Sequence, residues 1–196
     1  MDPLKLREAT ADLHAQTEEG VPLMKPDLTL NEYVSVLQRF YRAVAAWESW
    51  AETHVPEKWR AMFEQRRRSR LLLEDFHALG VTSEEASWGE VPFPVLDTDA
   101  SFLGAMYVVE GSTLGGQYIA RHVEEVLNFT PGVGDAYFRG YGENTGAMWK
   151  EFRTVVTAMD EADSDQVIEG ARKMFGMFAR CLKEGQTVDA WAGTRP

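Results

Sequence analysis

Three glycines inside a helical pattern constrain this sequence more than any other feature. Apolar residues recur at helical spacing from about Ser101 to Leu127, and Gly111, Gly115 and Gly116 fall within that stretch. Glycine inside a helix costs about 1 kcal/mol relative to alanine, so three in six residues need a reason. Gly111 and Gly115 are four residues apart and share one face, where something flat or bulky can approach the backbone. The alternative, which the glycines alone favour, is a close crossing with another helix.

Helical periodicity also recurs through the rest of the chain, and strand alternation is nearly absent. We therefore expect an all-α fold, a helical bundle in a single domain over residues 1–196. Thr29 and Glu32 form a predicted capping box at the start of the second helix. The chain after about residue 185 is predicted to be a flexible tail. The predicted helices cover about 3–19, 29–54, 56–79, 101–127, 146–160 and 163–184.

Composition and charge exclude several classes of protein. The net charge of −11 argues against binding to nucleic acid or to anionic membrane surfaces. The sequence contains no apolar run long enough to span a membrane and no pattern of a secretory signal. A single cysteine, Cys181, cannot form an internal disulfide framework and suits a reducing cytoplasm. We expect a cytoplasmic protein.

Among the four histidines, His14 has the neighbours that best suit a metal ligand. A lone helical histidine is usually structural or solvated. Here Arg7, Thr10, His14 and Glu18 lie on one stripe of the first predicted helix. Glu18 can accept a hydrogen bond from the second ring nitrogen, as partners of metal-bound histidines generally do. Arg7 lies roughly 10 Å from His14 along the helix and could bind an acidic group of a cofactor.

Two other candidate sites are weaker. Glu74 and His77 form one Glu-x-x-His motif, but a di-iron site needs two such motifs and two further carboxylates. His77 is therefore interpreted as an ordinary helical histidine. Cys181 lies near the end of the last predicted helix without a histidine beside it in sequence, so we interpret it as a packed thiol.

A basic run stands out in this acidic chain. It consists of Arg66, Arg67, Arg68 and Arg70. The simpler interpretation is a solvated face of the third predicted helix. The functional interpretation is a docking surface for an acidic partner protein.

Taken together, four segments resemble the haem oxygenase family. Residues 6–18 resemble its proximal helix, which carries the axial haem ligand, and residues 110–117 resemble its distal helix, in which two glycines one turn apart lie over the haem. Residues 72–80 and 166–175 resemble two further helical segments of the family, in the same order. The wording of the distal motif is nearer to the bacterial branch, including enzymes that supply bacteriophytochromes, than to the animal enzymes.

The resemblance implies a role for each matched residue. It implies that His14 is the proximal iron ligand, that Glu18 is its hydrogen-bond partner, and that Gly111 and Gly115 form the distal backbone face. The residues implied to bind or enclose the rest of the haem are Arg7, Thr10, Arg153, Phe175 and Phe178, with the two arginines near the propionates.

One position departs from the family pattern. The animal enzymes have an aspartate beside the first distal glycine, where it organises the water network that delivers protons. Here that position is Ser112, which can hold a water but lacks the charge of a carboxylate. We expect protons to arrive through water held jointly by Ser112, backbone carbonyls or a nearby group.

The activity implied by the resemblance is the opening of haem to biliverdin, carbon monoxide and ferrous iron. Haem would be substrate and cofactor together, with O₂ and electrons from an external reductase or ferredoxin. The implied partners are that electron donor, which could dock on the basic run, and a bacteriophytochrome as biliverdin acceptor. Two alternatives remain open at this point. One is a non-catalytic haem carrier or sensor on the same fold, and the other is a thiaminase-type hydrolase, which would need a positioned nucleophilic cysteine.

Overall fold

The computed structural model describes residues 1–81 and 91–183, and the regular elements within those ranges are helical. The α-helices are α1 (Pro3–Ala9), α2 (Ala11–Glu19), α3 (Leu30–His54), α4 (Arg60–Glu64), α5 (Ser69–Ala78), α6 (Asp99–Leu127), α7 (Ala136–Arg139), α8 (Thr145–Thr157) and α9 (Ser164–Lys183). Single 3₁₀ turns cover Glu57–Trp59, Gly142–Asn144 and Glu161–Asp163. The all-α prediction is confirmed. The predicted flexible tail lies outside the described residues, and the single-domain extent stays a prediction.

The sequence patterns at the ends of the two longest helices are matched by hydrogen bonds. Thr29 and Glu32 form the predicted capping box at the start of α3. At the start of α6, Thr98 and Ser101 cap one another in the same way. Helix α6 ends at Asn128, whose φ of 56° is left-handed, a conformation that asparagine tolerates. The three glycines predicted to weaken α6 leave it unbroken over 29 residues.

Helix α6 packs along α9 at the centre of the core. The backbones meet at a pair of glycines, one on each helix. A Cβ atom on Gly104 would lie 1.9 Å from the carbonyl oxygen of Val167, and one on Gly170 would lie 2.0 Å from that of Ser101. A close crossing through small residues therefore exists on α6, but it lies about two turns before Gly111.

The first predicted helix is divided at Thr10, so the prediction of one helix over 3–19 is wrong. Thr10 has φ −119° and ψ 1° and separates α1 from α2. Its hydroxyl donates to the carbonyl oxygen of Leu6, four residues earlier, at 2.9 Å. Threonine hydroxyls bonded in this way compete with the helical pattern and bend helices. The bend turns α2, and His14 with it, relative to α1.

The third predicted helix is also wrong as a continuous element, because residues 65–68 interrupt it. Glu48 of α3 explains why a new helix, α5, begins at Ser69. Its carboxylate accepts hydrogen bonds from the backbone N–H groups of Arg68 and Ser69 and from the Ser69 hydroxyl. A buried carboxylate from another helix thus caps α5, a contact that no local pattern reveals.

The same interruption overturns the interpretation of the basic run as either a solvated face or a docking surface. Arg66 and Arg68 are 3% and 2% exposed. Arg67 and Arg70 reach solvent, but each lies near a glutamate, Arg67 with Glu64 and Arg70 with Glu74. Two of the four charges are buried and the other two lie beside carboxylates, so they do not form one exposed basic surface.

No helix within residues 1–81 and 91–183 combines the length and the apolar composition needed to cross a bilayer.

Candidate functional site

Helices α1 and α2 face the middle of α6 across a cavity of about 720 Å³. Helices α8 and α9 and the short α7 complete its walls. The ten residues that the sequence assigned to a site all line this cavity: Arg7, Thr10, His14, Glu18, Gly111, Ser112, Gly115, Arg153, Phe175 and Phe178. Residues far apart in sequence are therefore brought together as predicted, while His77 and Cys181 do not line the cavity.

His14 projects from α2 into the cavity. Its side chain is 59% exposed, although it lies between two helices, because the cavity surrounds it. The Nδ1 atom lies 3.5 Å from Oε2 of Glu18, one turn later on α2. The edge of the Phe175 ring packs against the imidazole, with the ring centroids 5.8 Å apart. With Nδ1 facing a carboxylate, Nε2 is the nitrogen left for a ligand in the cavity.

The glycine face of α6 lies on the opposite side. A Cβ atom on Gly115 would have no neighbour within 4 Å, and one on Gly111 would meet only the Trp149 ring, at 3.8 Å. Gly116 differs from its neighbour, because its Cβ would lie 2.7 Å from the carbonyl oxygen of Phe138 in α7. Gly111 and Gly115 therefore face open space, whereas Gly116 is a packing glycine. The bare face leaves room for a flat ligand against the backbone of α6.

Two arginines, Arg7 from α1 and Arg153 from α8, give the cavity a positive side. Neither has an ion-pair partner within residues 1–81 and 91–183, although acidic residues outnumber basic ones in the chain. Tyr107 also lines the cavity. Burial raises the pKa of the Tyr107 hydroxyl, and the charges of Arg7 and Arg153 oppose that rise. Unpaired cations converging on one end of a cavity suit a ligand with acidic groups at one edge.

Ser112 is held by two hydrogen bonds. Its hydroxyl donates to the carbonyl oxygen of Val109 at 2.7 Å and accepts from Nη2 of Arg68 at 3.1 Å. The same Nη2 donates to the Val109 carbonyl at 2.7 Å. The hydroxyl proton of Ser112 is thus engaged within α6. Ser112 can accept one further hydrogen bond from a water in the cavity, but it is not a free donor.

The residues of this wall that sequence reasoning missed include Arg68, Tyr107 and Trp149. Tyr107 lies four residues before Gly111, and Trp149 lies four residues before Arg153, so helical spacing from residues already assigned could have found both. Arg68 had no such signal. Its place in the site depends on the break in the chain before α5 and on the distant Glu48.

Comparison with known proteins matches the chain to one family. The family model described as Heme oxygenase matches residues 95–184, which include all of α6, α7, α8 and α9. A curated heme oxygenase from Xanthomonas campestris pv. campestris (strain 8004) is 35% identical over 161 residues, covering 76% of this chain and 88% of the relative. The chain belongs to the haem oxygenase family.

Solved haem oxygenases share the fold. The NO- and CO-bound heme oxygenase from Neisseria meningitidis has a TM-score of 0.76 at 21% identity, covering 98% of this chain and 97% of that one. Heme oxygenase-1 from the cyanobacterium Synechocystis sp. PCC6803, solved in complex with heme, has a TM-score of 0.72 at 18% identity, covering 92% of this chain and 90% of that one. The predicted haem oxygenase fold is confirmed.

The residues of the cavity fit a haem. Its volume lies in the range of cavities that hold cofactors. A single imidazole from α2 is a common axial ligand of haem iron. Phe175 and Phe178 supply apolar walls, the bare glycine face provides space for a flat ring, and two unpaired arginines suit its propionates.

Proposed function

We propose that this cavity binds haem through His14 and that the chain opens the haem ring there. As a member of the haem oxygenase family, the protein is an enzyme that degrades haem. The observation that carries the placement of the reaction is that His14 faces the open Gly111 and Gly115 backbone across one cavity.

The residues that would hold haem divide among the walls. His14 would ligate the iron through Nε2, and Glu18 would accept from Nδ1–H and so fix the orientation of the ring. Arg7 and Arg153 would bind the propionates. Thr10 acts indirectly, because its hydroxyl bends the chain between α1 and α2 and thereby turns His14 towards α6.

The aromatic residues would enclose the ring and keep water from its apolar edge. Phe175 packs against His14, and Phe178 lies one turn of α9 away, lining the same cavity. Both are buried among the core residues of α9. Their positions therefore depend on the packing of α9 against α6, and not on the ligand.

Haem is both substrate and cofactor in this proposal, and when bound it supplies the iron at which O₂ is activated and the ring that is opened. The products would be biliverdin, carbon monoxide and ferrous iron. Electrons would come from an external reductase or ferredoxin. A bacteriophytochrome is the proposed biliverdin acceptor, following the resemblance to the bacterial branch.

The central experiment is a titration of hemin into the purified protein. We expect binding near one-to-one and the spectrum of an imidazole-ligated haem. His14→Ala should abolish that spectrum, and added imidazole should partly restore it. His77→Ala is the matched control, since His77 is another helical histidine that does not line the cavity. An unchanged spectrum in His14→Ala would overturn the assignment of the ligand.

Turnover separates catalysis from haem storage. With hemin bound, O₂ and an electron-donor system, the wild-type protein should form biliverdin. A stable ferrous haem complex that yields no biliverdin would favour the carrier on the same fold. The thiaminase-type alternative lacks support, because Cys181 is 2% exposed and packs against Met177 away from the cavity.

A further inference from the structure

Three consecutive arginines precede α5, and their surroundings differ. Arg66 is buried, but its guanidinium is paired with the carboxylates of Glu110 and Glu151, each at 3.1 Å. The Arg67 side chain is partly exposed, and its Nη1 atom lies 3.4 Å from Oε2 of Glu64. Arg68 is 2% exposed, and no carboxylate within residues 1–81 and 91–183 forms an ion pair with its guanidinium.

The surroundings of Arg68 stabilise its charge without neutralising it by direct contact. Nη2 donates to the Val109 carbonyl and to the Ser112 hydroxyl. The guanidinium carbon lies 5.0 Å from the centre of the Tyr137 ring and 5.9 Å from that of Tyr141. These are carbonyl, hydroxyl and aromatic partners, and they leave the positive potential of the group available in the cavity.

One donor of this buried side chain has no partner. Nε of Arg68 is buried and makes no hydrogen bond within the described residues. A buried charged group without its full set of partners is costly, and native structures seldom contain one without a reason. Nε itself is enclosed by protein, but the Arg68 side chain lines the same cavity as His14, so the guanidinium charge faces what the cavity holds.

We propose that Arg68 is the fixed hydrogen-bond donor on the α6 side of the cavity, acting on water or a small acceptor ligand held beside Ser112. This inference rests on the proposed binding of haem between α2 and α6. Arg68 would be a positioning residue, because it anchors Ser112 and the polar molecule next to it. It would supply a cation and N–H donors beside Ser112.

The neighbourhood of Ser112 supports this assignment over a purely structural one. Ser112 donates its proton to Val109, so its hydroxyl cannot be the main donor into the cavity. The Tyr137 hydroxyl is buried and makes no hydrogen bond of standard geometry, although Ser112 lies near enough to act against the rise that burial causes in the Tyr137 pKa. Arg68 is therefore the one charged donor among the groups described around Ser112.

The test is the affinity of the ferric haem complex for fluoride, measured by optical titration at constant pH. Fluoride is a small acceptor whose affinity reports on donors near the iron, and it requires no turnover. Arg68→Met should bind haem with the wild-type stoichiometry but lower the fluoride affinity on the order of tenfold to a hundredfold. Arg68→Lys keeps the charge but not the planar guanidinium. Its fluoride affinity should lie between those of the wild type and Arg68→Met.

Arg67→Met is the surface control and Arg66→Met the buried control, because neither residue lines the cavity. Both should keep the wild-type fluoride affinity. If Arg68→Met fails to fold, the Lys variant is measured against the same controls, and a wild-type affinity in it would overturn the proposal. Equal fluoride affinity in wild type and Arg68→Met would overturn it while leaving haem binding intact. A wild-type protein that bound no haem would instead overturn the proposed function, and this inference with it.

Discussion

Gly104 and Gly115 lie on the same helix, three turns apart, and their missing side chains serve opposite purposes. At Gly104 the space is filled by the backbone of α9, with the Val167 carbonyl oxygen 1.9 Å from the position of a Cβ atom. At Gly115 the same position has no neighbour within 4 Å and borders the cavity that also contains His14. One glycine is required for the fold, and the other leaves a space that the fold itself does not use.

The difference shows how a packing glycine can be told from a functional one. Glycine in a helix costs about 1 kcal/mol relative to alanine, so a helix keeps one only where something offsets that cost. Close packing of two backbones offsets it at Gly104. At Gly115 nothing in the protein does, so we assign the benefit to the ligand. The same substitution should therefore change stability in opposite directions at the two positions.

The largest effect is expected at the crossing of α6 and α9. Gly104→Ala would push a methyl group into the Val167 carbonyl and force the two central helices apart, because a backbone atom cannot rotate away. We expect a loss of at least about 3 kcal/mol in the free energy of unfolding, measured by urea denaturation. Gly170→Ala should behave alike, since its Cβ would meet the Ser101 carbonyl at 2.0 Å. Wild-type stability in either variant would mean that the crossing is looser than described.

The next effect concerns ligand binding. Gly111→Leu or Gly115→Leu places a branched side chain on the open face, so the fold should persist while haem affinity and turnover fall about tenfold or more. Hemin titration and single-turnover biliverdin formation measure the two losses. Tyr118→Leu, on an exposed part of α6 outside the cavity, is the control. Wild-type turnover in either glycine variant would refute the interpretation that this face approaches the haem.

Much of this site could be predicted because its signals are local. The pairing of His14 with Glu18 and the spacing of Gly111 and Gly115 depend only on helical geometry, and the cavity brings all four together. The assignment of helices succeeded for the same reason wherever apolar periodicity and caps agreed.

The misses have two causes, one local and one nonlocal. The first helix bends because the Thr10 hydroxyl bonds to the backbone of its own helix, and a threonine inside a helical pattern gives no sign of which partner it will choose. The break before α5 depends on Glu48, twenty residues earlier in the chain. That break buries Arg66 and Arg68. The exposed basic surface predicted from the four arginines at 66, 67, 68 and 70 is therefore absent from the folded structure of the described residues.

A smaller effect distinguishes two adjacent glycines. Gly115→Ala should raise the free energy of unfolding of the ligand-free protein by about 1 kcal/mol, because alanine favours the helix and meets no neighbour. Gly116→Ala should lower it by about 1 kcal/mol, since its methyl group would lie 2.7 Å from the Phe138 carbonyl and the crowding exceeds the helical gain. Urea denaturation of both variants measures the two changes in the free energy of unfolding. Shifts of the same sign would show that the cavity side of α6 is packed as tightly as the side that faces α7.

An effect of similar size is expected at Ser112, which follows Gly111 on the cavity wall. Ser112→Ala removes one hydroxyl from a network that Arg68 also serves. Nη2 of Arg68 keeps its hydrogen bond to the Val109 carbonyl, and a water can occupy the vacated position. We therefore expect the activation free energy of ring opening to rise by about 1 kcal/mol, which slows the reaction roughly fivefold. The biliverdin formed in a single turnover measures this rate. A fall of several orders of magnitude would instead make the Ser112 hydroxyl the principal anchor of proton delivery, and the shared network of Ser112, Arg68 and water would have to be abandoned.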